Sequence, residues 1–224
     1  LTLLVGVLLW SFLSELFESI AQSVAFERWE GTLEYTFMAP VPRAVHLAGV
    51  SLFALVYSLA RAAVILCGLL LFIDLDIAGA NLFGILAVLL VSSVAFVGLG
   101  LMAAVLPVMS PERGAEATNI FQGTLLLVSG VYYPVEVLPG WLQPLAAVSP
   151  ATYALSACRK LMGIGRSAPQ ASPPEELVGA PLSAVVPELL TLALMGVVMI
   201  PLGLFVFGRV EAWAKRTGKL KRTG

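Results

Sequence analysis

The sequence predicts an all-α, polytopic membrane protein, a single transmembrane domain over residues 1–224. Three observations predict it. Hydrophobic residues make up 59% of the chain and charged ones only 12%, about half the charged share of a soluble domain. The apolar residues gather in runs of about 20, the length a helix needs to cross the hydrocarbon core. The polar residues between them fall in a few short islands, and the mean hydropathy is +0.95.

About five spans follow from those runs: 1–24, 44–73, 81–108, 117–134 and 183–208. Leu1 opens directly into the first, with neither an initiator Met nor a basic leader, so an N-terminal piece is expected before it. The island 26–43, FERWEGTLEYTFMAPVPR, separates the first two spans. At helical spacing it sets Phe26, Trp29, Leu33 and Phe37 on one stripe and Glu27, Glu30 and Glu34 on another. Pro40 and Pro42 end that helix, because proline lacks an amide donor and restricts the residue before it. Pattern alone allows a plain interfacial connector or a docking helix for a soluble partner.

Between the second and third spans lies the short turn Asp74–Ala80, and between the third and fourth the connector Met109–Glu116. After the fourth span, residues 134–163 read as two short apolar helices, too short to cross and therefore re-entrant or surface-lying. Trp141 sits at the interface in this reading, and Ser149 before Pro150 has the chemistry of a helix start. A polar linker, Gly163–Pro181, and a basic tail, 209–224, complete the chain.

The basic residues set the orientation. Arg209, Lys215, Arg216, Lys219, Lys221 and Arg222 place the tail in the cytosol. Alternation then puts Met109–Glu116 and the island in the cytosol and Asp74–Ala80 outside. Arg159, Lys160 and Arg166 fall outside, against the rule, which longer external segments weaken. Five spans leave Leu1 outside, and an earlier sixth returns the terminus to the cytosol.

Catalytic and cofactor motifs are missing. There is no G-x-x-x-x-G-K-S/T phosphate loop, no H-E-x-x-H, no C-x-x-C and no serine elbow. Gly98-x-Gly100-x-x-Ala103 matches a dinucleotide fingerprint formally, but it lies in an apolar helix with no strand before it. Close helix packing explains it better. His46 is read as an interfacial residue. Cys67 and Cys158 have no metal-ligand spacing. No basic patch with interleaved aromatics points to nucleic acid.

The informative polar residues are those inside spans, where charge is costly. Ser11, Glu15, Glu18 and Gln22 form one stripe on the first span. Thr118, Gln122, Ser129 and Tyr132 form another on the fourth. They read either as a shared translocation path or, for Glu15 and Glu18, as side chains reaching headgroups and water. Arg61, deep in the second span, needs a partner, and Glu188 is the candidate.

Two stretches carry a resemblance. Glu30–Glu34, E-G-T-L-E, followed by Ala39–Arg43, A-P-V-P-R, resembles the cytosolic coupling helix of ABC type-2 export permeases. Ser129–Met162, with its P-x-x-x-L-P-x-W-L-x-P run and P-x-T-Y helix ending in Arg, is similar to that family's outer signature. The resemblance implies a six-span subunit paired with a second permease, as a homodimer or with a sister chain. It implies two copies of a separate ATP-binding subunit, which carry ATP and Mg, and no cofactor on this chain itself. It makes Glu27, Arg28, Glu30, Gly31, Thr32 and Glu34 the docking residues, and Pro139, Trp141, Pro150 and Tyr153 the external gate. Family members export drugs, lipids or lipid-linked glycans, here across a bacterial or archaeal inner membrane. The alternatives are an ion- or proton-coupled carrier or channel using Glu15 and Glu18, and a membrane-embedded enzyme with one of them as base.

Overall fold

A computed structural model describes residues 2–72, 81–110, 113–133, 135–162 and 181–217. The turn Asp74–Ala80, most of the linker Gly163–Pro181, Arg166 and the tail beyond Thr217 lie outside the described residues. Within them the helices are α1 (Thr2–Glu30), α2 (Leu33–Met38), α3 (Arg43–Phe72), α4 (Leu82–Ala103), α5 (Val105–Met109), α6 (Gly114–Val128), α7 (Gln143–Val148), α8 (Pro150–Leu161) and α9 (Val186–Arg216).

Among the described residues, four helices are long and apolar enough to cross a membrane: Leu4–Glu30, Arg43–Leu69, Leu82–Met109 and Leu182–Arg216. The span expected at 117–134 is shorter than its apolar run. It starts at Gly114 and stops at Val128, 15 residues, or about 22 Å at the α-helical rise against a hydrocarbon core of about 30 Å. The stop is at Gly130, whose φ of +74° suits a residue without Cβ.

The island is not the single helix 26–38 that its stripe predicts. Helix α1 runs on to Glu30 and is closed by Gly31 at φ +78°. The Gly31 amide donates to Arg28 O (3.2 Å) and the Thr32 amide to Glu27 O (2.9 Å), the paired bonds of a Schellman stop. Six residues of α2 follow, and the chain extends through Ala39 into Pro40 and Pro42. The break between α4 and α5 has a similar local cause. Pro107 has no amide for the Ala103 carbonyl, and its ring crowds that oxygen.

The bundle has two ends. At one sit the island, α5, the start of α6 and the end of α9, joined by Arg28 to Val108 O and by Arg43 to Glu211. At the other sit the start of α1, the end of α6, α7, α8 and the start of α9. There the Asn81 amide donates to Leu161 O at 3.2 Å, and Lys160 pairs with Glu188. Helix α8 is a buried plug: Ala151, Ala154, Leu155, Ala157, Cys158 and Leu161 face α1, α4 and α9.

Lipid tails solvate leucine as well as a protein interior does, so helix association in a bilayer depends on close packing. Glycine supplies it here. A Cβ on Gly98 would lie 2.6 Å from the carbonyl carbon of Met199 in α9, and one on Gly203 would lie 2.7 Å from Gly98 O. A Cβ on Gly100 would lie 3.0 Å from the Ile20 side chain and 3.4 Å from Phe17 O of α1, a looser approach. The glycines at 98 and 100 are therefore packing residues, and the dinucleotide match is incidental.

Candidate functional site

Three groups of residues carry the functional expectations: the island, the polar stripes of α1 and α6, and the segment around α7 and α8.

On the island, the sequence assigns the acids and Arg28 outward and the aromatic stripe inward. The structure divides both groups. Leu33 and Phe37 are buried, but Phe26 (59% exposed) and Trp29 (67%) face out with their rings 5.8 Å apart. The physical reason is the stop at Gly31, which ends one helix and re-phases the next. Arg28 is turned inward, buried, and donates to Val108 O at 2.5 Å. The bare carbonyl at the end of α5, left by the α5–α6 turn, gives the guanidinium a reason to be there. Glu27 faces α3, its Oε1 3.0 Å from His46 Nε2. Glu30 and Thr32 are exposed, with the Thr32 hydroxyl donating to Glu27 O at 3.1 Å, and Glu34 is half-buried. The outward surface is therefore Phe26, Trp29, Tyr35, Met38 and Val41, an apolar and aromatic patch, with Glu30 and Glu34 as its acids.

On the α1 stripe, Ser11 is half-buried. Glu15 pairs with Arg61 of α3 and accepts from the Ser19 hydroxyl at 3.3 Å. Glu18 accepts from the Gln22 amide. The expected partner of Arg61, Glu188, is instead paired with Lys160 of α8. Helices α1 and α3 form a hairpin about the island, so residues at similar distances from their helix ends come level. Glu27 and His46 each lie 3 residues from the end, and Glu15 and Arg61 lie 15 and 18 residues from it. That symmetry is a signal available in the sequence; depth counting from the far end of α9 is not precise enough to replace it.

On the α6 stripe, the Thr118 hydroxyl donates to Gly114 O and the Ser129 hydroxyl to Leu126 O, both on their own helix. Gln122 is half-buried and Tyr132 exposed. The structure brings α6 to α1 through a ring stack, Phe17 on Phe121 at 5.7 Å, beside Glu18 and Gln122 in sequence. Two apolar cavities open elsewhere beside α3 and α4, the first reaching α9 and the second reaching α1 and α8. One, of about 300 Å³, includes Ser51, Ser93 and Leu204 in its wall. The other, of about 370 Å³, includes Phe12, Leu66, Leu86 and Cys158.

Around the plug, Pro139 and Trp141 are exposed, Pro150 is buried at the first turn of α8, and the Tyr153 hydroxyl donates to Ala147 O at 3.0 Å. Ser149 occupies the N-cap with extended backbone, but its hydroxyl makes no cap bond. Arg159 donates to Gly130 O (3.0 Å) and Val131 O (3.3 Å), closing the end of α6, and its burial lowers the guanidinium pKa. Burial pushes the Cys158 thiol up to about 12.

Sequence reasoning missed a cluster at the island end. Glu211 of α9, its side chain 9% exposed, lies 2.9 Å from Arg43 and 2.7 Å from Lys215. Lys215 also donates to Phe37 O at 3.1 Å. Arg43 and Glu211 are 168 positions apart, and no local pattern links them. Among the described residues, no group of three or more His, Cys, Asp or Glu side chains is placed to hold a metal.

A family model described as ABC-2 type transporter matches residues 1–162. A curated relative, the daunorubicin resistance ABC transporter permease protein DrrB1 of Streptomyces coeruleorubidus, is 31% identical over 110 residues. That stretch covers 47% of this chain and 37% of the relative. With most of its length matched by the model and its long apolar helices arranged as a multi-pass bundle, the chain belongs to the ABC-2 type transporter family.

Proposed function

We propose that this chain is the membrane-spanning permease subunit of an ATP-driven exporter, powered by a separate ATPase that docks on the island. Family membership supports the class. The observation that carries the docking step is the outward patch of Phe26, Trp29, Tyr35, Met38 and Val41 at the turn between two spans. Tyr35, Met38 and Val41 lie beyond the span Leu4–Glu30, and exposed large apolar side chains there mark a protein interface. Glu30 and Glu34 add an acidic rim for a partner with basic residues around an apolar groove. The docking residues are thus Tyr35 and Met38 with Glu30 and Glu34; Gly31 and Thr32 set the turn that presents them, and Glu27 and Arg28 hold it from inside. The island faces the cytosol of a bacterial or archaeal inner membrane, two ATP-binding subunits carry ATP and Mg, and a second permease chain completes the transporter.

The substrate class follows from two supports. The relative's name ties that protein to daunorubicin resistance, and the α1 stripe is acid-rich. An amphipathic organic cation fits both, with Ser11, Glu15, Glu18 and Gln22 on one side of its path and Thr118, Gln122, Ser129 and Tyr132 on the other. Lipids and lipid-linked glycans are the family's other cargoes. Pro139, Trp141, Pro150 and Tyr153 frame the outer gate.

The test is reconstitution in liposomes with the co-expressed ATPase subunit and doxorubicin as the cationic probe. Movement that requires both Mg-ATP and the ATPase subunit is the expected result. Movement driven by a proton gradient with neither present overturns the proposal in favour of a proton-coupled carrier.

A further inference from the structure

The island is fastened to a helix it does not adjoin in sequence. Arg43 lies at its end, and its guanidinium reaches both Glu211 of α9 (2.9 Å) and the Thr36 carbonyl of α2. Lys215, also on α9, grips Glu211 and the Phe37 carbonyl. The Phe37 ring is buried under these cations, 4.6 Å from Arg43 and 5.8 Å from Lys215, and meets Phe207 of α9 edge-on at 6.1 Å. Charge-assisted bonds around a largely buried carboxylate, added to cation–π contact, define one geometry for α2 on α9.

From there the contact chain continues without a soft joint. Helix α9 is seated on α4 by the close approaches of Gly98, Gly196 and Gly203, so the two move as one body. At the far end that body holds α8 twice, through Glu188 to Lys160 and through the Asn81 amide to Leu161 O. Of the two spans that flank the island, α3 offers a poorer route, because cavities open between it and α4.

We infer that Arg43, Glu211 and Lys215 form a latch that hands a displacement of α2 to α9, and that Lys160 and Glu188 hand it on to the outer plug α8. These are positioning residues: none needs to touch substrate or nucleotide. The inference rests on the reading of the island as the ATPase dock, and it names the last span as the transmission element.

Cys158 is a built-in reporter, because it is 2% exposed on α8 and reacts with a thiol reagent only when the plug moves. The experiment uses the complex purified with its ATPase subunit in nanodiscs, in a Cys67→Ser background, with a polar maleimide. Labelling of Cys158 is expected to rise about tenfold between the nucleotide-free and the Mg-ATP-vanadate-trapped states, within the range seen when coupling residues are altered. Glu211→Gln and, independently, Arg43→Gln abolish that rise, and Glu211→Asp keeps most of it. A full rise in both Gln variants overturns the latch. A complex that co-purifies but shows no rise in Cys158 labelling before any latch substitution also overturns it, leaving the dock intact. Failure of any ATPase subunit to co-purify overturns the dock and the latch together.

Discussion

Helices α3 and α9 are both long, both apolar, and both beside α4, yet they are held in opposite ways. Along α9 the backbones nearly touch. An added Cβ at Gly98 or Gly203 would fall under 3 Å from main-chain atoms across the contact. Along α3, a Cβ at Gly49 or Gly68 would meet nothing within 4 Å, and cavities of about 300 and 370 Å³ lie between α3 and α4. The polar ties of α3 are Glu15 with Arg61 and Glu27 with His46 on the α1 side, and Arg43 with Glu211 of α9 at its first residue. Leu47 and Ala54 are its buried apolar contacts. In lipid, where leucine burial drives little association, the difference between glycine and any other residue decides which helices form one body. The α4–α9 pair is that body, and α3, tied to it through Arg43 and Glu211 at one end, packs loosely against it beyond that point.

The comparison can be broken most severely at Gly98. Gly98→Leu forces a branched side chain into the Met199 and Ile200 backbone, where neither neighbour can rotate away, and overpacking of that kind costs about 2–3 kcal/mol. Unfolding midpoints in mixed micelles measure it, and a loss under 0.5 kcal/mol means the two helices are not in backbone contact. The polar side is tested by Glu15→Gln, which leaves Arg61 without a charged partner and costs about 1–3 kcal/mol. The double variant with Arg61→Gln should be less destabilised than Glu15→Gln alone, because the orphaned charge is gone. The smallest effect is expected at Gly68. Gly68→Ala has room for its methyl and restricts the unfolded chain, so it is neutral or stabilising by up to about 1 kcal/mol. A clear loss there would show that α3 packs as tightly as α9.

Much of this was legible in the sequence for physical reasons. Hydropathy located the long helices, because a span must be apolar over a length fixed by the bilayer. Pro40 and Pro42 located the end of the island helix. Gly31 carried its signal too, a glycine directly after the last helical turn, but the regular stripe Phe26, Trp29, Leu33 and Phe37 suggested one continuous helix. One residue with positive φ undid that stripe and put Phe26 and Trp29 on the outside. Arg61 was recognisable as a charge needing a partner, but depth counting named Glu188, whereas the hairpin of α1 and α3 brings Glu15 to it. Arg28 and Arg43 were different. Their partners, Val108 O and Glu211, stand 80 and 168 positions away, and only the packed bundle brings them close.

The account depends most on which protein touches the outward face of α2. A photoreactive benzoylphenylalanine placed at Tyr35, with the same probe at Val64 on the exposed face of α3 as reference, tests this in the assembled transporter. The predicted result is a covalent adduct between position 35 and the ATPase subunit, and none from position 64. An intact complex in which position 35 captures only lipid, or in which the ATPase adduct arises at position 64, would contradict it.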